Sequence, residues 1–107
     1  MQLWKQLSIY TSEGSRSGTR ALHTAMIATA LEQGLYSAIA VKAMEGFGPQ
    51  MAIPTANQMA LDSDLPIEVR IIDEPERINA FLASQKDVLA TCIVVLRDVE
   101  MFWAPQS

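Results

Sequence analysis

Two kinds of apolar periodicity divide the first half of the chain into strand and helix segments. Residues 5–11 alternate apolar and polar side chains, which predicts a half-buried strand. Residues 19–33 carry apolar side chains over a broad arc at helical spacing and stop at a glycine, so they predict a helix with Ser17 or Thr19 as its N-cap. Residues 36–45 alternate again and predict a second strand.

The second half repeats this order after a long connection. Residues 58–61 and 67–72 predict a third strand that residues 62–66 interrupt, with Ile67, Val69 and Ile71 facing inward. We expect Pro66 at a sheet edge or a bulge, because proline donates no ladder hydrogen bond. A capping aspartate opens a second helix over residues 73–87, with proline in its first turn. Helical spacing gives this helix one apolar face, made of Ile78, Phe81 and Leu82. Residues 92–103 are apolar on both sides at first and predict the last strand.

The resulting order, βαββαβ, predicts an α+β protein with the ferredoxin-like fold: one antiparallel sheet with two helices on one face, in a single domain over residues 1–107. The other face also carries apolar side chains, and no helix remains to cover it, so we expect a partner there. Trp4, Phe102 and Trp103 are expected to contribute to that contact. The alternative is that these aromatic rings cap the core of their own protomer.

The connection between the second and third strands, residues 45–64, is too long for a simple turn. Gly46 and Gly48 bracket Phe47, which suits positive φ angles or a close approach of the backbone to a ligand. Long loops inside small domains are usually functional or disordered. We therefore predict a mobile, functional loop at about residues 46–57.

Composition excludes several kinds of partner. The chain has 107 residues and a net charge of −4, and its eight Lys and Arg residues are scattered, so no basic stripe is present to bind nucleic acid. It has no charged leader followed by an apolar run and no apolar stretch of membrane-spanning length. We expect a cytoplasmic protein with no direct membrane insertion.

Few side chains offer reactive chemistry. One thiol, Cys92, forms neither an intrachain disulfide nor a thiol-rich metal site, and we interpret it as a small buried hydrophobe. His23 lies inside the apolar arc of the first helix without a second histidine, which favours a hydrogen-bonded structural imidazole over a metal ligand or a catalytic group. Arg16 and Arg20 flank the helix start, where they either hold an anion or remain solvated loop charges.

Several segments together resemble a known family. They are LSIYTSE after residue 6, EQGL at the first helix end, EGFG and IPT in the connection, DLPIEVRIID in the third strand and VLRDVEM in the last one. Over residues 7–101 the chain resembles the PII-like proteins grouped as domain of unknown function 190. The resemblance implies a ferredoxin-like homotrimer whose connection after the second strand contacts a regulated partner, such as a membrane transporter or an enzyme.

The resemblance also implies an adenine nucleotide in the cleft between subunits, with residues 87–91 as part of its wall. Family members commonly carry His and Arg along the loop after GFG, and this chain has no cation there, which leaves Arg16, Arg20 and Arg97 to meet an anion. The predicted ligand-binding residues are Glu13, Arg16, Arg20, Glu45, Gly46, Phe47, Gly48 and Asp64. The predicted partner-contacting residues are Met51, Ile53, Thr55 and Asn57.

Three functional hypotheses remain at this point. The first is a PII-like trimeric regulator in which a ligand between subunits orders the loop and thereby controls a partner. The second is a ligand-free adaptor trimer that only displays its three loops. The third is a small enzyme, which would require Glu13, Glu45 and Asp64 to converge. We expect a protein that is not an enzyme, with no catalytic residues, no metal and no certain cofactor.

Overall fold

The computed structural model describes residues 1–47 and 64–105. None of the helices in these two ranges has the length and apolar character needed to cross a membrane. In chain order the elements are β1 (Gln2–Ser12), β2 (Arg16–Ser17), β3 (Arg20–Ala21), α1 (Leu22–Glu32), β4 (Ser37–Lys42), β5 (Pro66–Asp73), α2 (Pro75–Ser84), the 3-10 turn η1 (Val88–Thr91) and β6 (Ile93–Met101).

The main sheet has the strand order β4-β5-β1-β6, and every neighbouring pair is antiparallel. β1 and β4 are therefore parallel to each other, with β5 between them, as a crossover through α1 requires. Buried side chains of both helices join one core with side chains of β1 and β5, so the helices lie on the same face. The predicted α+β, ferredoxin-like fold is confirmed.

The core lies between the two helices and one face of the sheet. Ile67, Val69 and Ile71 of β5 point into it, as predicted, and none is more than 4% exposed. Because side chains alternate across a strand, the same face carries Leu7 and Ile9 of β1, both fully buried. The helices and the 3-10 turn add Leu22, Met26, Ala30, Ile78, Phe81 and Leu89.

The first helix begins later than predicted. Its N-cap is Ala21, not Ser17 or Thr19, because the residues before it form a small ribbon in which β2 pairs with β3. Gly18 turns this ribbon at a φ of +64°, which a glycine adopts without strain. The two strands have only two residues each, so no alternation could reveal them in the sequence.

Pro66 does not lie at a sheet edge or a bulge, and that prediction is wrong. β5 pairs with β1 on one side and with β4 on the other, and Pro66 is its first residue. The missing N–H is tolerated there because the strand starts at this point. The carbonyl of Pro66 still takes part, since it accepts a hydrogen bond from Ala43 N at 2.9 Å.

The second helix starts on a buried aspartate. Asp73 is 4% exposed, and its Oδ1 accepts the N–H of Glu74, which is the N-cap residue itself. Its Oδ2 accepts the N–H of Tyr36 at 3.0 Å and Nε of Arg77 at 2.8 Å. The predicted capping residue therefore satisfies a backbone donor at the helix start and also ties the beginning of β4 to α2.

The burial of Trp4 and the exposure of Leu31 both differ from expectation. Trp4 is 7% exposed and packs edge to face on Tyr36, with 5.1 Å between ring centroids. Its ring is therefore buried by contacts within its own protomer. Phe102 and Trp103 remain exposed, at 83% and 78%. The apolar arc predicted for the first helix includes Leu31, yet this side chain is 79% exposed because it lies on the outer side of α1.

Candidate functional site

The elements that carry the predicted ligand site meet at one edge of the sheet. β1 and β4 end there, and β5 and β6 begin there. Ser12 lies opposite Pro66, Lys42 lies opposite Ile67, and β6 starts opposite Tyr10. We call this the loop edge, defined by the last residues of β1 and β4 and the first residues of β5 and β6.

Glu13 occupies the centre of the loop edge. Its Oε2 lies 3.0 Å from Nζ of Lys42, and its Oε1 accepts the N–H of Leu65 at 3.2 Å. The N–H of Glu13 in turn donates to the carbonyl of Leu65 at 3.0 Å. The hydrogen bond from Lys42 holds the pKa of Glu13 below its ordinary value, with further lowering by the Leu65 N–H and by His23. The carboxylate is therefore charged at neutral pH.

Asp64 is tied to the same edge through a glycine. The N–H of Gly14 donates to Oδ1 of Asp64 at 2.8 Å. A Cβ added to Gly14 would lie 3.1 Å from that oxygen, so the close approach favours glycine at this position. Gly46 has a φ of +145°, which confirms the expectation that the backbone there needs glycine.

Lys42 is a functional candidate that the sequence reasoning missed. Alternation along β4 gives only the face of the sheet on which a side chain lies. The contact with Glu13 depends on the order of the strands and on the path of the chain after β1, which local patterns do not carry. A search for a lysine at the end of the strand that precedes the glycine-rich segment could have identified it.

The two arginines predicted to hold an anion lie on the ribbon. Arg16 is in β2 and Arg20 is in β3, and both side chains are exposed. Within the described part of the chain neither forms an ion pair. The structure thus places them next to the end of β1 without joining them to the Glu13 carboxylate.

The start of the long connection is exposed. Glu45 is exposed, and the Phe47 side chain is 80% exposed. Gly48 and the predicted partner-contacting residues, Met51, Ile53, Thr55 and Asn57, lie outside the described residues.

Residues 87–91 reach the loop edge from the opposite side of β1. They end in η1, whose Leu89 is 6% exposed and belongs to the core, and they lead directly into β6. Cys92, between η1 and β6, is half-buried and packs against that core, in line with its interpretation as a small apolar residue. The hydrogen bonds and ion pairs described above for Glu13 and Asp64 do not include residues 87–91.

Two buried polar atoms lie in the same half of the molecule. Oγ1 of Thr11 and Nδ1 of His23 have no hydrogen-bond partner among residues 1–47 and 64–105. The prediction of a hydrogen-bonded imidazole is therefore wrong for Nδ1 within these ranges. Over the same residues, no three His, Cys, Asp or Glu side chains come together in a group that could hold a metal ion.

The sheet face opposite the helices, here called the open face, is only partly covered. Ile39 and Val41 of β4 are 50% and 38% exposed, and Ile93 and Val95 of β6 are 43% and 42% exposed. Cross-strand register places all four on this face. The sequence-based expectation of apolar side chains on an uncovered face is confirmed for these residues.

A polar network runs through the middle of the open face. Oε2 of Glu68 accepts a hydrogen bond from Nε of Arg70 at 3.0 Å, and Oε1 of Glu68 accepts one from a terminal nitrogen of Arg70 at 3.2 Å. Ser8, which is 2% exposed, donates to Oε2 at 2.8 Å. The bond from Arg70 lowers the pKa of Glu68 despite the opposing effect of burial, and Ser8 and Arg97 lower it further.

Solved structures identify the fold as that of PII-like proteins. CPII, a nitrogen regulatory PII-like protein from Thiomonas intermedia K12, was solved with ADP, AMP and bicarbonate. It is 13% identical, with a TM-score of 0.59 over 92% of this chain and 87% of that one. CPII bound to ADP, AMP and acetate gives a TM-score of 0.58 at 17% identity, over 92% and 90% of the two chains. A putative PII-like signaling protein from Thermus thermophilus gives a TM-score of 0.60 at 14% identity, over 92% of this chain and 91% of that one.

The family follows from sequence. The model of the DUF190 family, described as an uncharacterized ACR, matches residues 4–101. A UPF0166 protein of Aquifex aeolicus (strain VF5) is 33% identical over 99 residues, which are 92% of this chain and 93% of the relative. The chain belongs to the DUF190 family, and the resemblance noted in the sequence is confirmed.

Proposed function

We propose that this protein is a PII-like regulator that assembles as a homotrimer through its open face and binds an adenine nucleotide at the loop edge. The bound nucleotide changes the connection between β4 and β5, and the connection carries the signal to a partner protein. This function is binding and regulation and not catalysis.

The observation that carries the proposal is the arrangement of the loop edge. A lysine, two carboxylates and the exposed ring of Phe47 lie where both ends of the connection meet the sheet. An exposed aromatic ring provides a surface on which an adenine base stacks, and an ammonium group binds phosphate. The structures of CPII with ADP and AMP, on the same fold, support the choice of ligand.

The open face supports the assembly. It exposes Ile39, Val41, Ile93 and Val95 around a polar network, which suits a contact surface that is apolar in part and specific in part. Both helices described within residues 1–47 and 64–105 pack on the opposite face. Three copies packed around one axis would bury it.

A ligand screen tests the nucleotide. The intact protein is heated with ATP, ADP, AMP, cyclic AMP or bicarbonate, with GDP as the base-exchanged control. A ligand at a hundredfold excess over its Kd stabilises the native state by about 2.7 kcal/mol, so a true ligand raises the Tm in a concentration-dependent way. The proposal expects a rise with an adenine nucleotide and a smaller one with GDP.

A pair of neighbouring valines tests the assembly. Val95 lies on the open face at 42% exposure, and Val94 lies on the helix side of the same strand at 37%. A charge on the buried side of an interface is costly, so Val95→Lys should give a monomer by light scattering, whereas Val94→Lys should keep the mass of the wild type. Equal masses for both variants and the wild type would remove the open face as the interface.

A ligand-free adaptor is the second candidate, and one observation favours it. At the ends of the connection the carboxylates of Glu13, Glu45 and Asp64 outnumber the single lysine, and Lys42 is already paired. No change of Tm with any nucleotide, together with an intact oligomer, would favour the adaptor over the regulator.

A further inference from the structure

The carboxylate of Glu13 joins both ends of the long connection. Lys42 is the last residue of β4, before the connection, and Leu65 directly precedes β5, after it. Glu13 Oε2 contacts Lys42 Nζ at 3.0 Å, and Glu13 Oε1 accepts the Leu65 N–H at 3.2 Å. A change at one oxygen is therefore transmitted to the other, because both belong to one rigid carboxylate group.

We propose that Glu13 is an internal competitor of the ligand: it occupies Lys42 in the ligand-free protein, and an anionic ligand that takes Lys42 releases Leu65 from the same carboxylate. This inference rests on the proposed function and adds the regulation of its binding site. It assigns a coupling role to two residues, one of which the sequence did not point to.

The ion pair is suited to exchange. The Lys42 side chain is 57% exposed and the Glu13 side chain is 33% exposed, and pairs so open to solvent are weak. A phosphate group carries more charge than a carboxylate and offers three acceptor oxygens, so it competes well for an ammonium group. Lysine also changes partner readily, because its ammonium lies on a flexible stem with three rotatable donors.

Release of Leu65 has a local consequence. Its N–H then loses its acceptor at the point where the connection enters β5, while the bond from Gly14 N to Asp64 Oδ1 involves neither Lys42 nor Glu13 and remains. The ligand thereby removes the side-chain attachment of Leu65, while the bonds from Gly14 N to Asp64 Oδ1 and from Glu13 N to the Leu65 carbonyl remain. This gives a change in state at the loop edge without any rearrangement of the sheet.

The test measures ADP affinity by calorimetry on the intact protein and three variants. Glu13→Gln should bind ADP about 2- to 5-fold more tightly, the range expected when an exposed ion pair no longer competes. Lys42→Met should bind about tenfold more weakly or worse, because a charge-assisted hydrogen bond is lost. In the double variant the gain from Glu13→Gln should vanish, since no lysine remains to be released.

Asp98→Asn supplies the matched control. Asp98 also pairs with an exposed lysine, Lys5, at 2.6 Å, but Lys5 lies opposite Asp73, at the other end of β5 from the loop edge. The same loss of one carboxylate charge there should leave ADP affinity unchanged. Equal tightening in Asp98→Asn and Glu13→Gln would mean that net charge alone acts, and the competitor role would be rejected.

Hydrogen exchange of the wild type gives a second readout that needs no variant. ADP should speed exchange of the Leu65 amide relative to that of Gly14. If the wild type binds ADP but Glu13→Gln has no effect and Leu65 exchange is unchanged, the competitor role falls and the proposed function stands. If neither the wild type nor Glu13→Gln binds ADP, nucleotide regulation and the competitor role both fail.

Discussion

The two faces of the main sheet are made by the same four strands, but the two helices cover one face and leave side chains of the other partly exposed. On the helix-covered face, Phe81 and Ile78 seal the strands, and the central side chains are fully buried. On the open face, Ile39 and Val95 remain about half exposed beside the charged pair of Glu68 and Arg70. The difference indicates that one face supplies most of the stability of the protomer, and the other is available for association.

The sharpest test of this comparison uses two adjacent isoleucines. Ile71 is fully buried on the helix-covered face, and Ile72, next in β5, is half-buried on the open face. Ile71→Ala should lower the free energy of unfolding by about 2–5 kcal/mol, because it removes buried methyl groups and leaves a cavity. Ile72→Ala should cost roughly 1 kcal/mol, because less of its apolar area is lost from water. Urea unfolding at one fixed protomer concentration measures both.

Similar losses of unfolding free energy for Ile71→Ala and Ile72→Ala would contradict the conclusion that the helix-covered face supplies most of the stability of the protomer. If the loss for Ile72→Ala shrinks as dilution dissociates the oligomer, the open face contributes through assembly.

The polar network of the open face gives the next largest effect. Glu68→Gln should cost about 1–3 kcal/mol, because hydrogen bonds from Arg70 and Ser8 to a charged acceptor are weakened. Glu100→Gln, at an exposed carboxylate of β6, is the control and should change stability by less than about 0.5 kcal/mol. Thermal unfolding of both variants measures the difference, and equal effects would make the network irrelevant to the fold.

The pH dependence of stability is a smaller effect with a defined sign. The pKa of Glu68 in the folded chain lies below its ordinary value of 4.5, chiefly because Arg70 donates to the carboxylate. The stabilisation is therefore complete above about pH 4.5 and is lost as the pH falls through the folded pKa. Acid unfolding should show a shallower pH slope in Glu68→Gln than in the wild type below pH 4.5. An unchanged slope would remove Glu68 as a source of acid sensitivity.

The smallest effect is expected at the rim of the helix-covered face. Lys5 and Asp98 pair at 2.6 Å between β1 and β6, with side chains 30% and 60% exposed. Lys5→Met should change the free energy of unfolding by about 0.2–1 kcal/mol at low salt and by less in concentrated salt. A loss comparable with that of Glu68→Gln would show that exposure does not separate the two ion pairs.

The fold was accessible from the sequence because its main signals are local. Alternation in β5 gave the inward residues Ile67, Val69 and Ile71, and helical spacing gave Ile78 and Phe81. The order of these segments along the chain, βαββαβ, then predicted the ferredoxin-like fold, and the family resemblance implied the same fold. The ribbon of β2 and β3 was missed because two-residue strands carry no periodicity.

The candidate site was only partly accessible. Glu13, Gly46 and Asp64 were named from family positions, and the structure brings them to one edge. Lys42 was missed because its contact with Glu13 joins residues from different strands, and sequence alternation does not report which strand ends meet. Pro66 was misplaced because proline indicates a break in a ladder and does not tell whether the break comes at an edge or at the first residue of a central strand.

The start of β5 also bears on how this family can diversify. Pro66 has no N–H, and the N–H of Leu65 donates to the side chain of Glu13, so neither residue supplies a backbone donor to the ladder at the start of β5. A segment of different length or composition could therefore be inserted ahead of Leu65 without shifting the pairing of β5 with either neighbour.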